Sequence, residues 1–288
     1  MTQQAVKSGF SPAAFIRNVV CGAIIGIANV IPGVSGGTMA VVLNMYDALI
    51  GAIADLRKNF VRSLMLLLPV VIGAGIGILA FASVVDVLLL ECKTQLVFLF
   101  VGLIVGSLPM VWKRASDGGM RASLFVPFIV MVAFMLVLTF CVNADGAVQT
   151  VQETLTLPLF FILAGAMVIA SVSMVLPGLS GSMMMMLMGQ YETVIHALKT
   201  LNLPLLIPCA IGGLIGILGG AKVIKWLLKK YSQATFAAVL GLIVGSLVNL
   251  IVKQTALDIA VNGFESLVCL VCGVAITVCV ERLSSGKA

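Results

Sequence analysis

Charge is what this chain has least of. Of its 288 residues only 10% are Asp, Glu, Lys or Arg and 61% are hydrophobic, whereas soluble globular domains carry about 25% charged residues. Too little charge is present to cover a water-facing surface, which argues against a soluble domain and for a polytopic membrane protein. Histidine occurs once, at His196. That argues against an imidazole-based metal centre and leaves at most one histidine base for a nucleophile. The seven cysteines (Cys21, Cys92, Cys141, Cys209, Cys269, Cys272 and Cys279) fall mostly within apolar stretches and form no paired framework. Cys269 and Cys272 have C-x-x-C spacing but lack the second pair or nearby histidine of a zinc set, so no metal and no cofactor are expected. The apolar run from Val19 to Ile31 has the length of a signal-peptide core, yet no small-residue cleavage site follows, and it reads as mature sequence. The net charge of +6 suits an anionic partner. In a membrane protein, however, basic residues first report orientation, and no nucleic-acid partner is expected. Nothing in the sequence sets an oligomeric state.

Against this background one short motif stands out, written twice inside apolar sequence: Ile31-Pro32-Gly33-Val34-Ser35-Gly36-Gly37-Thr38-Met39 and Leu176-Pro177-Gly178-Leu179-Ser180-Gly181-Ser182-Met183-Met184. Pro and Gly interrupt helices, and a membrane segment that carries them exposes backbone groups that lipid cannot satisfy. Two such interruptions in corresponding halves point to a binding site at a repeat interface. The halves also align elsewhere. Pro69–Leu108 matches Pro208–Leu247 without a gap, with 18 of 40 positions identical, including Gly102–Leu108 against Gly241–Leu247. Tyr46-Asp47 likewise corresponds to Tyr191-Glu192. A duplication follows, with repeat 1 over residues 15–142 and repeat 2 over 158–282, both within one membrane domain spanning 1–288.

Each repeat reads as a broken segment (18–53 and 158–197) followed by three apolar helical spans: 63–90, 95–112 and 123–142, then 204–228, 234–252 and 264–281. The arms of the first broken segment, about 14 residues each, reach only ~21 Å, short of a full span. A re-entrant hairpin therefore fits better than a crossing. In the second repeat, 158–176 is long enough to span at about 28 Å, so that segment is less clear. With both segments re-entrant and the N-terminus cytoplasmic, 14 of the 17 Lys and Arg lie inside and only Lys93, Lys199 and Lys253 outside. Counting each as a single crossing gives 9 against 8 and loses that bias. Three net crossings per repeat is an odd number, so the repeats must be inverted. The expected fold is thus an all-α polytopic membrane protein of two inverted-topology repeats, each a re-entrant hairpin plus three transmembrane helices, with both termini cytoplasmic.

At each hairpin apex, helix-start amides and close-approach glycines suit an anion. Gly33, Ser35, Gly36, Gly37 and Thr38 in the first motif, and Gly178, Ser180, Gly181 and Ser182 in the second, are candidate phosphate-binding residues, with Asn29 on the facing arm. A turn capped by its own hydroxyls is the plainer alternative. Asp47 and Glu192, at equivalent places past each apex, are either interfacial anchors or proton-coupling groups. Arg17 is a candidate headgroup contact, though a simple positive-inside anchor is the more ordinary reading. Gly33-Val34-Ser35-Gly36-Gly37 also fits the G-x-S-x-G of serine hydrolases and resembles rhomboid intramembrane proteases. One histidine cannot serve two such motifs. The run Met183–Met186 with Met188 is adaptable packing rather than a copper site, since no Cys or His accompanies it.

At Asn29–Thr38 and Val175–Ser182, with Tyr46-Asp47 and Tyr191-Glu192 downstream, the chain resembles the polyprenyl-phosphate (undecaprenyl-phosphate) transporter family of bacteria, over nearly its whole length. The resemblance implies recycling of undecaprenyl phosphate, the carrier lipid of cell-wall glycans, across the cytoplasmic membrane. The partners it implies are the lipid and the bilayer, and the activity is that of a lipid flippase rather than an enzyme. Many members of the family carry an acidic residue where this chain has Asn29, which moves the candidate proton-coupling role to Asp47 and Glu192. A soluble-anion transporter is the runner-up.

Overall fold

The computed structural model describes residues 12–30, 34–117, 119, 121–141, 151–254 and 259–285. All regular structure among them is helical. In order these are α1 (Pro12–Val30), α2 (Gly36–Val42), α3 (Tyr46–Ala54), α4 (Phe60–Glu91), α5 (Lys93–Ser116), a 3-10 turn (Ala122–Leu124), α6 (Phe125–Cys141), α7 (Leu157–Val175), α8 (Gly181–Leu187), α9 (Tyr191–Lys199), α10 (Leu203–Lys230), α11 (Ser232–Gln254) and α12 (Ile259–Ser285). Seven of them, α1, α4, α5, α6, α7, α10 and α11, are long and apolar enough to cross a bilayer, and α12 carries the shorter apolar stretch Gly263–Cys279. The chain is a multi-pass membrane protein. Large apolar side chains such as Leu79, Phe134, Leu214 and Phe264 are exposed along α4, α6, α10 and α12, where lipid rather than water would cover them.

The helix order recurs. α1 and α7 have 19 residues each, α2 and α8 have 7, and α3 and α9 have 9. The first arm starts at Pro12, six residues earlier than the sequence pattern placed it. The returning arm is not one helix, because it breaks at Leu43–Met45 and again at Met188–Gln190. The break has the same chemistry in both places. Asn44 (φ 55°) and Gly189 (φ 67°) take left-handed backbone angles. Asn44 and Met45 donate to the Val41 and Ala40 carbonyls, and Gly189 and Gln190 to those of Met186 and Met185. This double bond pattern closes a helix end when the residue after the cap turns left-handed. At the start of α7 the Thr156 hydroxyl accepts from the Leu159 amide at 3.4 Å, and Pro158 follows in the first turn.

Close helix contacts fall at glycines spaced four residues apart. A Cβ on Gly22 would lie 2.2 Å from the Val70 carbonyl oxygen, and one on Gly26 would lie 2.3 Å from that of Ala74. α1 and α4 therefore run parallel and in register. In the same way Gly212 and Gly216 of α10 press on Ala164 and Val168 of α7, Gly102 of α5 on Leu270 of α12, and Gly241 of α11 on Phe128 of α6. The register has a topological consequence. The start of α1 is level with the start of α4, which is where α3 has just ended, and the start of α7 is level with the start of α10, where α9 ends. Gln152 N bonds the Thr193 hydroxyl at 3.3 Å and Asn202 Nδ2 bonds the Glu153 carbonyl at 2.9 Å, tying the segment before α7 to α9 and its exit.

The core lies on α5 and α11, the helices that carry the identical heptapeptides. They run antiparallel: the Arg114 guanidinium near the end of α5 lies 5.4 Å from the ring of Phe236 near the start of α11. Val97, Val101, Ile104 and Val111 of α5 and Val239, Ile243 and Leu250 of α11 form one buried cluster with Met39, Val41, Tyr46 and Ile50 of α2 and α3.

Candidate functional site

The two motifs meet. Ile31, Pro32 and Gly33 lie outside the described residues, but the first motif from Val34 onward packs against the second. The buried Thr38 hydroxyl, 1% exposed, accepts from the Gly178 amide at 2.7 Å. Tyr46 Oη, at the start of α3, donates to the Val175 carbonyl at 3.1 Å. Gly37 faces the carbonyls of Met174 and Leu176, and a Cβ there would sit 3.1 Å from the first. Gly178 has φ +89°, and its Cβ would stand 2.6 Å from the Leu242 carbonyl oxygen, so glycine is required by both conformation and space.

Within each motif the serine occupies the same place. Ser35 (φ −102°, ψ 130°) and Ser180 (φ −105°, ψ 127°) are the extended residues just before α2 and α8, and neither side chain caps its helix. Asn29, at the end of α1, accepts from the Gly36 amide at 3.1 Å, which holds the facing arm against the start of α2. The Ser180 and Ser182 hydroxyls lie 2.7 Å apart. Burial differs between the two: Ser35 is 6% exposed, whereas Ser180 is half-buried and Ser182 exposed. Gly181 is buried against Met174 of α7. The site thus combines hydroxyls and glycine amides from both halves, and two of its amides are held by neutral acceptors, Asn29 and Thr38. A phosphate oxygen would form stronger, charge-assisted bonds to the same donors.

The remaining sequence candidates are not at this junction. Asp47, on α3, forms an ion pair with Arg114 of α5, and Arg114 Nη2 also donates to Asn44 Oδ1 at 2.6 Å. Asp55, just after α3, pairs with Lys225 of α10. Glu192 is exposed on α9, beside the Thr193 contact to Gln152. The 28-residue α10 separates these places, beginning beside α9 and reaching Asp55 at its far end. Asp47 and Glu192 therefore stand at opposite ends of the bundle. Arg17 is exposed on α1, about 18 Å along the helix axis from Asn29. His196 Nε2 lies 3.9 Å from Glu153 Oε1, with α8 and the first turn of α9 between it and Ser180. Arg114, Asn44 and Tyr46 were not singled out as site residues from sequence. Their contacts cross 67, 70 and 129 positions, and only the continued repeat register hinted at Arg114.

A polyprenyl-phosphate transporter of Staphylococcus aureus (strain NCTC 8325 / PS 47) is 30% identical over 239 residues, covering 80% of this chain and 84% of the relative. A polyprenyl-phosphate transporter of Vibrio cholerae serotype O1 (strain ATCC 39315 / El Tor Inaba N16961) is 27% identical over 250 residues, covering 81% of this chain and 76% of the relative. No solved structure matches the chain. Residues 25–268, which hold both motifs and the helices between them, match a family described as VCA0040-like, undecaprenyl phosphate translocase-like, and the chain belongs to that family.

Proposed function

We propose that this protein moves undecaprenyl phosphate, or a closely similar polyprenyl phosphate, across the bacterial cytoplasmic membrane, and that its two halves act as inverted repeats (15–142 and 158–282) of one membrane domain. The observation that carries the proposal is the bond between Thr38 and Gly178, which joins two equivalent phosphate-suited motifs into one site. The antiparallel packing of the equivalent helices α5 and α11 supports inversion. The shared level of each broken segment's start and end supports a re-entrant hairpin in each half. The lysine and arginine distribution supports cytoplasmic termini.

A lipid phosphate keeps its tail in the bilayer while its headgroup must pass ~30 Å of hydrocarbon. The apposed motifs supply polar groups for that passage: the hydroxyls of Ser35, Thr38, Ser180 and Ser182, the amide of Asn29, and close backbone approach at Gly36, Gly37, Gly178 and Gly181. In this conformation α3 is fastened to repeat 2 through Tyr46 and Asp55, so the α3 mouth is closed, while Ser182 and Glu192 are accessible from the other side. Alternation between this state and its mirror would carry the headgroup across. Asp47 and Glu192, one at each mouth, serve as proton-coupling groups: a carboxylate that loses its cation when a mouth opens is neutralised by a proton. Arg17 on α1 meets headgroups at the cytoplasmic surface.

A flotation assay on the purified chain tests the substrate. Liposomes carrying polyprenyl phosphate should retain the protein's ligand signal, and polyprenol should not. Tight binding of inorganic phosphate without binding of the lipid would make the protein a soluble-anion carrier instead.

A further inference from the structure

We infer that Arg114 is the counter-charge that receives the substrate's phosphate at the α3 mouth, and that Asp47 is the resting partner which the phosphate displaces. The inference rests on the transport reading and goes beyond it by assigning, at one mouth, the group that receives a phosphate monoester on an apolar chain.

Several observations converge on it. Arg114 is held facing into the protein by Asp47, Asn44 and the face of Phe236, whereas a plain interfacial anchor would extend towards bulk lipid headgroups. Its guanidinium offers a planar fork suited to two phosphate oxygens. The pair is only half sequestered, with side-chain exposures of 35% for Arg114 and 48% for Asp47, so an incoming anion can reach the guanidinium and exchange is inexpensive. The same stretch of α5 provides for the tail. Trp112 and Ala115 form a shallow apolar crevice with Leu124, Phe125 and Phe128 of the α6 region and Leu240 of α11. Cation and crevice lie on adjacent faces of the same two helices, the arrangement an amphiphile with a charged head requires.

The duplication supplies an independent indication. Extending the gapless match of Pro69–Leu108 with Pro208–Leu247 by six residues sets Arg114 opposite Lys253, just as Asp47 corresponds to Glu192. Each half therefore carries one carboxylate and one cation at matching positions.

The test places a photoreactive group beside Arg114 by replacing Phe236 with p-benzoyl-phenylalanine in the full chain, reconstituted with polyprenyl phosphate or polyprenol. Capture of polyprenyl phosphate but not polyprenol is expected. Arg114→Gln should lower capture about tenfold or more, as for loss of a charge-assisted contact, while Asp47→Asn should raise it by removing the competitor. A merely structural ion pair predicts that both substitutions act in the same direction, and that outcome overturns the inference. The exchanged pair Asp47→Arg with Arg114→Asp should recover thermal stability without recovering capture, and recovered capture would also overturn it. Should Arg114→Gln fail to fold, Arg114→Lys, which keeps the charge and loses the fork, should reduce capture about threefold. Inorganic phosphate at equal concentration should compete weakly, and full protection by it would assign the site to a free anion. Wild-type transport in the same vesicles separates the two claims: absent transport defeats the transport reading, while transport with capture unchanged in Arg114→Gln defeats only this inference.

Discussion

Replacing Thr38 by Val perturbs the junction between the motifs with little change in side-chain shape. Thr38 is 1% exposed and its hydroxyl is the acceptor for the Gly178 amide at 2.7 Å. Valine fills the volume but leaves that amide buried without its acceptor, at a cost of about 1–3 kcal/mol. Because the lost bond joins the first motif to the second, the cost falls on the conformation that brings them together. At 1.4 kcal/mol per tenfold, the population with the α3 mouth open should rise by roughly five- to a hundredfold from its resting level. The assay is labelling of a cysteine at Met45, which is 5% exposed in this conformation, in a background without the native cysteines, by a membrane-impermeant maleimide. Thr38→Val should accelerate labelling. Tyr46→Phe, which removes the donor to the Val175 carbonyl, should accelerate it less, since a net hydrogen bond is worth about 1 kcal/mol. If both variants fold and label at the wild-type rate, the Thr38–Gly178 and Tyr46–Val175 bonds do not hold the mouth closed.

Other outcomes follow from the same geometry. Ser35→Ala and Ser180→Ala should each weaken headgroup binding by about 1–2 kcal/mol in a lipid-binding titration, and unchanged affinity in both singles and the double would remove the shared site. Gly102→Ala would put a Cβ 2.1 Å from the Leu270 carbonyl oxygen; α5 and α12 must separate, and thermal unfolding in detergent should show a loss of several degrees or no folded protein. Asp47→Asn with Glu192→Gln should abolish the response of transport to a pH gradient without abolishing headgroup binding, and a surviving response would leave both carboxylates as anchors. Single-cysteine labelling should place Arg57 and Ser116 on the cytoplasmic side and Gln152 on the other, with Arg57 and Gln152 on one side contradicting the crossing count.

The helices were legible because hydropathy alone marks a stretch that must face lipid. The spans 204–228 and 234–252 differ from α10 and α11 by only one or two residues at each end. The two breaks were legible because Pro32-Gly33 and Pro177-Gly178 cannot continue a helix. The second break of each segment was not: Asn44 takes a left-handed angle that its neighbours' hydropathy does not reveal, and Gly189 reads as one glycine among 29. The partners of the site residues were also hidden. Nothing local to Thr38 indicates that its hydroxyl meets Gly178, because that contact depends on how two halves dock. Arg114 counted in the sequence only as one positive-inside residue, although its correspondence with Lys253 was there to be found by carrying the repeat six residues further.

The central claim is that one site, built from both motifs, carries a lipid phosphate through the membrane. Its most direct measurement is the appearance of a short-chain fluorescent polyprenyl phosphate in the opposite leaflet of proteoliposomes, read by the fraction open to quencher added outside. The account predicts rapid transfer with the wild-type chain, transfer near that of protein-free vesicles for the Ser35→Ala, Ser180→Ala double variant, and no acceleration for the matching polyprenol. Equal acceleration of polyprenol, or undiminished transfer in the folded double variant, would contradict it.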